Sequence, residues 1–231
     1  MVYQLDEDIW FPDPRNGEDD GCIAIGGDLS VDRLLLAYTN GIFPWYAYKR
    51  EAYSKESLEH LDKVPIQWYC PMDRFVFFPD KIHISHSMRN LMNKNLYSLT
   101  IDKDFEGVIN SCAEVHGGDT FDWLGPDMVE AYTEMYRQGY AHSFEVWDSG
   151  NNLVGGLYGL LLGKVFYGES MFCRKPNTSK LAFIKMCEFL HTIGVKMIDS
   201  QVENPHTKSL GGVHITYDEY MDIVNQGLKE N

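Results

Sequence analysis

The chain reads as an α+β protein built on a mixed, mostly antiparallel sheet, and three features predict this. Three apolar stretches follow one another closely, at 141–147, 153–162 and 164–172. Only Asp148-Ser149-Gly150-Asn151-Asn152 and Gly163 separate them, so both links read as antiparallel hairpins. Helical periodicity precedes this meander and returns after it, and a further short strand follows the later helix.

Taken in order, residues 1–65 form a small irregular N-terminal domain. Phe11-Pro12-Asp13-Pro14 and Asn16-Gly17 are turn signals. Ser30 caps a helix with Val31, Leu34, Leu35 and Tyr38 on one face, and Gly41 stops it. Ile42-Phe43-Pro44-Trp45-Tyr46 reads as a rigid aromatic turn, and the charged, weakly helical stretch at about 47–64 as a surface insertion. The second domain spans 66–231. Tyr97, Leu99 and Ile101 alternate as a strand. Phe105, Val108, Ile109 and Cys112 mark one helix, and Val129, Tyr132 and Tyr136 another that Gly139 ends. The meander follows, with Gly155-Gly156 signalling a bulge or a close backbone approach. A helix over about 179–192, a strand over 196–201 and a closing helix over 217–229 complete the order.

The 231 residues are 44% hydrophobic and 23% charged, values of a globular chain and not of a disordered one. No apolar run reaches the roughly 18 residues of a membrane helix, and the acidic start lacks a signal peptide's basic and apolar regions. Five widely spaced cysteines without a C-x-x-C pair imply reduced thiols in a cytoplasmic protein. Formal net charge is −14, which argues against a generic nucleic-acid binder. The charge is uneven, however. Residues 49–103 hold nine basic and seven acidic side chains, a balance of +2, so a polyanion would dock there.

Two stretches carry chemistry. Gly168-Glu169-Ser170-Met171-Phe172 sets a lone carboxylate inside an apolar strand, where it is costly unless paired. Ile198-Asp199-Ser200-Gln201 sets an acid and an amide two residues apart at a strand end, where their side chains share one face. Together with Ile25-Gly26-Gly27-Asp28-Leu29-Ser30, Gly41-Ile42-Phe43-Pro44-Trp45, Ala141-His142-Ser143, Leu153-Val154-Gly155-Gly156-Leu157-Tyr158-Gly159, Thr178-Ser179-Lys180 and Ser209-Leu210-Gly211, they give a chain that resembles the leucyl/phenylalanyl-tRNA–protein transferases nearly end to end.

That resemblance implies a C-terminal domain of the acetyltransferase-like (GNAT) fold. It also implies transfer of Leu or Phe, and less readily Met, from aminoacyl-tRNA to proteins with N-terminal Arg or Lys, marking them for N-degron degradation. The acyl group arrives activated, so neither a nucleotide cofactor nor a metal is expected, and a monomer is. By the same analogy Gln201 hydrogen-bonds the incoming amine, while Asp199 orients it and supplies negative charge. Asp199 is therefore expected at the site and outside the core. Glu169 and Asn204 take the ammonium of the bound amino acid, unless Glu169 pairs with a protein cation such as Lys180. Leu157, Met171, Phe183, Met186, Leu190 and Ile198 line an apolar, forgiving pocket. Trp45 and Trp123 stack on the terminal adenosine. Lys49, Arg50, Arg74, Lys81, Arg89 and Lys94, from the segment of positive balance, contact tRNA phosphates.

Two rival functions stand beside this one. An acetyl-CoA-dependent acetyltransferase would cradle pyrophosphate on a glycine-rich loop at a helix start. The equivalent Arg174-Lys175-Pro176-Asn177-Thr178-Ser179 has no glycine. A non-catalytic adaptor could grip basic N-termini with an acidic surface, but would need neither tryptophan nor Gln201.

Overall fold

In the computed structural model of the chain, the described residues are 2–45, 65–115 and 124–230. They fall into two compact units, Met1–Met72 with His116–Ala131, and Asp73–Val115 with Tyr132–Asn231.

In the first unit a four-stranded sheet runs β1 (Tyr3–Leu5), β2 (Cys22–Gly26), β4 (Gln67–Tyr69), β3 (Phe43–Trp45). Helix α1 (Val31–Thr39) starts where the sequence predicts, with the Ser30 hydroxyl accepting from Arg33 N–H. Phe43–Trp45, expected as a turn, is instead a strand paired with Gln67–Tyr69. Proline tolerates this position because it still offers a carbonyl to the ladder. The same pairing moves the domain boundary. Residues 66–72 belong to the N-terminal sheet through β4, so the division falls after Met72 and not after 65.

The second unit is built on seven strands in the order β11 (Val213–Thr216), β5 (Asp73–Phe77), β10 (Met197–Asp199), β9 (Val165–Cys173), β8 (Leu153–Leu162), β7 (Ala141–Trp147), β6 (Ser98–Ile101). Every neighbouring pair is antiparallel except β9–β10, which are parallel. The meander β7–β8–β9 is as expected. Its first turn is tied by Asp148, whose Oδ1 accepts N–H bonds from Gly150 and Asn152. Helices fill the gaps: α2 (His86–Asn93), α3 (Phe105–Val115), α4 (Pro126–Arg137, which crosses the unit boundary), α5 (Thr178–Thr192), the short α6 (Pro205–Lys208) and α7 (Tyr217–Lys229).

Period-2 alternation gives each strand two faces, and both are covered on the strands inside the sheet, while the edge strands β6 and β11 are largely exposed. One face joins Phe75, Phe77, Phe144, Val146, Leu157, Phe166 and Ile198 to the α5 residues Leu181, Phe183, Met186 and Leu190 in a single apolar core, with Met88 of α2. Helix α5 lies close enough that a Cβ on Gly155 would run into Thr178, whose hydroxyl donates to Val154 O at 2.7 Å. This is the close approach that Gly155-Gly156 foreshadows. The opposite face packs under α3 and α7 and is lined by aromatic rings: Phe105 stacked on Tyr136 at 4.4 Å, Tyr158 edge-on to both Phe105 and Tyr132, and the buried Tyr167 and Tyr220. No helix among the described residues is long and apolar enough to cross a membrane.

Candidate active site

Glu169 owes its position to an irregularity. In the β8–β9 ladder Gly159 pairs with Gly168 and Tyr158 with Ser170, so Glu169 has no partner on β8: it is the extra residue of a β-bulge. A regular ladder would have pointed residue 169 to the face opposite that of residues 168 and 170. The bulge aims it separately. Its carboxylate, half-buried, accepts from Tyr132 Oη at 2.9 Å and from Gln201 Nε2 at 3.2 Å. Lys180 lies near His206. There burial, with the Lys180 charge second, lowers the imidazole pKa from its ordinary value.

Gln201 sits just past β10, and it too is irregular. Its φ is +56°, a left-handed conformation that a glutamine rarely adopts and that costs about 1–3 kcal/mol. Two interactions hold it there. Its backbone N–H donates to Asp199 Oδ1 at 2.9 Å, and its carbonyl accepts from Phe75 N–H at 3.3 Å. The amide nitrogen then reaches Glu169, which leaves the amide oxygen as an acceptor.

Asp199 is not the accessible acid the sequence suggests. It is fully buried and accepts four hydrogen bonds, from Arg74 Nε (2.8 Å), Arg74 Nη2 (2.7 Å), Tyr220 Oη (2.9 Å) and Gln201 N–H. Its expected place outside the core is thus corrected. A carboxylate is tolerated at the centre of the sheet because a bidentate guanidinium neutralises it. Burial, reinforced by the Asp199 charge, pushes the Tyr220 phenol well above its ordinary pKa, so it stays a donor.

Arg74 is corrected with it. Expected on the surface against tRNA phosphate, it is 1% exposed, locked to Asp199 and laid over the Tyr220 ring at 4.8 Å. Its place in β5 beside Phe75-Val76-Phe77 was the available signal, since an arginine inside an apolar strand needs an internal partner. Lys81, Arg89 and Lys94 are exposed, whereas Lys49 and Arg50 lie outside the described residues. Asn204 also differs from expectation. Its side-chain oxygen accepts from Thr207 N–H at 2.9 Å and so caps α6, an exposed position with a local task.

The six expected pocket residues do come together. Leu157, Phe183, Met186, Leu190 and Ile198 share the core cluster, and Met171 packs against it. Trp45 is half-buried at the end of β3, edge-on to Tyr69 at 5.5 Å. Trp123 lies outside the described residues. Sequence reasoning missed Tyr132 and Tyr220, whose hydroxyls donate to Glu169 and Asp199. The signal was the position of these tyrosines inside helices, where a buried hydroxyl requires a partner.

The bulged carboxylate, the left-handed glutamine and the buried pair behind it form one hydrogen-bonded run from Arg74 to Tyr132. It presents an amide acceptor beside a carboxylate at the edge of an apolar cluster, which is equipment for holding an amine next to an acyl group. Comparison with known proteins agrees with that chemistry. The family described as leucyl/phenylalanyl-tRNA protein transferase matches residues 76–225, and the N-terminal domain of the same family matches residues 27–53. The chain is 44% identical to the leucyl/phenylalanyl-tRNA–protein transferase of Syntrophobacter fumaroxidans over 99% of its own length and 92% of that protein's. It is 42% identical to that of Flavobacterium johnsoniae over 96% and 99%, and 40% identical to that of an Anaeromyxobacter species over 98% and 91%. Among solved structures the likeness is distant. L-PGS from Bacillus licheniformis gives a TM-score of 0.41 at 10% identity, covering 79% of this chain and 54% of that one, too low to bear on the fold. With matches that run nearly end to end, this chain belongs to the leucyl/phenylalanyl-tRNA–protein transferase family.

Proposed function

We propose that the chain transfers a leucyl or phenylalanyl group from its tRNA ester to the α-amine of proteins beginning with Arg or Lys, marking them for the N-degron pathway. The observation that carries this reading is the Gln201 side chain, strained into place and hydrogen-bonded to Glu169. Glu169 receives the ammonium of the esterified residue, whose side chain enters the cluster of Leu157, Met171, Phe183, Met186, Leu190 and Ile198. The Gln201 amide oxygen accepts an N–H of the incoming amine. The amine nitrogen attacks the ester carbonyl, the C–N bond forms and the C–O bond to ribose breaks. The ribose oxygen leaves with the proton the amine gives up, because a glutamine cannot serve as a base. Orientation supplies most of the acceleration, up to about 7–11 kcal/mol for a well-aligned pair. Asp199 acts through Gln201 and not on the substrate: it is a positioning residue.

Exposed Lys81, Arg89 and Lys94, with Lys49 and Arg50, contact tRNA phosphates, and Trp45 and Trp123 stack on the terminal adenosine. Asn204 keeps only its amide nitrogen free of the cap for any substrate contact. The second unit has the acetyltransferase-like fold expected of the family, and the enzyme works in the cytoplasm as a monomer. The test is incubation with labelled Leu-tRNA or Phe-tRNA and an Arg-initiated peptide. Label should appear on that peptide and not on an Ala-initiated control. Label on neither removes the reading.

A further inference from the structure

Strand β8 contains glycines that have no room for a side chain. A Cβ on Gly155 would run into Thr178, one on Gly156 would lie 2.8 Å from Phe144 O, and one on Gly159 would run into Tyr167 O. Gly168 on β9 is different. Among the described residues, a Cβ there meets nothing nearer than Asp199 O at 3.6 Å and Ile198 Cγ2 at 4.0 Å, both ordinary contact distances. Its φ is not in the left-handed region either. Among the described residues, neither crowding nor backbone conformation requires glycine at this position. A strand glycine nevertheless costs stability, since it loses more conformational freedom on folding than any other residue and packs no side chain. A glycine without a packing reason marks space that something else uses.

The neighbours indicate the use. Gly168 immediately precedes the bulged Glu169. The missing Cβ points toward Ile198, which shares the apolar cluster with Leu157 and Met186, and Met171 packs against the same cluster. Its second neighbour is the carbonyl of Asp199, two residues before Gln201. The apolar wall therefore adjoins the space left by one absent methyl group, at the residue next in the chain to the Glu169 carboxylate. We infer that Gly168 is a specificity-determining residue: it sets the size of the socket for the side chain of the esterified amino acid and admits an aromatic ring as well as a branched aliphatic chain. This rests on the transferase reading above and says which part of that site governs the choice of acyl group.

The substitution Gly168→Ala tests it in the full chain. Thermal unfolding is measured first, then transfer from Leu-tRNA and from Phe-tRNA to an Arg-initiated peptide. An added Cβ at ordinary contact distance should leave the unfolding temperature equal or higher. Phe transfer should fall at least about tenfold more than Leu transfer, the scale on which an apolar pocket senses one methyl group. A lowered unfolding temperature would show that the space is not open. Unchanged transfer, or an equal fall for both residues, would show that Gly168 does not gauge size. The unsubstituted chain run alongside separates the two levels. If it transfers neither residue, the transferase reading fails and the inference with it; if it transfers both while the variant loses no selectivity, only the inference fails.

Discussion

Asp199 and Gln201 stand two residues apart and do opposite things to the molecule. Asp199, with Arg74 in bidentate contact and Tyr220 alongside, is a stability element. Breaking a buried pair strands the remaining charge, so Asp199→Ala should lose about 3–5 kcal/mol in urea unfolding. Adding Arg74→Met to that variant should recover most of the loss without restoring transfer. An unfolding midpoint equal to the parent's for Asp199→Ala would deny the pair this role. Gln201 is the reverse. Gln201→Asn keeps an amide and suits a left-handed backbone better, since asparagine adopts it more readily. It should unfold no earlier than the parent, yet transfer about 100-fold more slowly, because the amide falls short by one methylene. Equal rates in a single-turnover assay would remove Gln201 from the reacting centre. The sequence revealed both residues as polar groups at a strand end. It could not reveal their division of labour, because that depends on Arg74 and Tyr220, which lie 125 and 21 residues away in the chain.

At the level of strands and helices, long periodic segments were readable, and of the short strands only β6 and β10 were. The β7–β8–β9 meander and helices α1, α5 and α7 carry enough alternation or helical period to declare themselves. Strands β1, β4 and β11 have three or four residues, too few for a pattern to stand out. Strand β5 hides because Asp73-Arg74 open it and leave only Phe75-Val76-Phe77 as its apolar run, and α2 because its inward face shows chiefly Met88 among polar neighbours. Element packing also sets thiol chemistry. Cys112 of α3 is buried, and burial pushes its pKa up to about 12; Cys187 of α5 is pushed higher still, and Cys22 of β2 is raised as well. Cys173, at the end of β9, is exposed. Native protein should therefore take up about one equivalent of a thiol-alkylating reagent rapidly, at Cys173, and the remainder only on unfolding. Peptide mapping checks this, and rapid labelling of Cys112 would contradict the packing of α3.

For the molecule as a whole, an acidic chain has to hold a polyanion. Exposed cations therefore need to be concentrated in the segment of positive balance, and Lys81, Arg89 and Lys94 remain there once Arg74 is discounted. Affinity for tRNA should fall as salt rises, and each of Lys81→Ala, Arg89→Ala and Lys94→Ala should flatten the logarithmic slope by up to about 0.7–0.9. A filter-binding series measures it, and slopes identical to the parent's would remove those side chains from the interface. The charged stretch before β4 conceals the continuity of the N-terminal sheet, so residues 66–72, and with them His116–Ala131, cluster with the first unit and not with the second as the sequence suggests.

The bulge on β9 has one more consequence. Residues 168 and 170 already face consecutive positions on β8, so the ladder would close seamlessly if the residue between them were excised. Deletion of residue 169 should then leave a regular ladder and, on the proposed reading, a protein that no longer transfers. On that reading the surplus residue is kept for its carboxylate, which holds Tyr132 and Gln201.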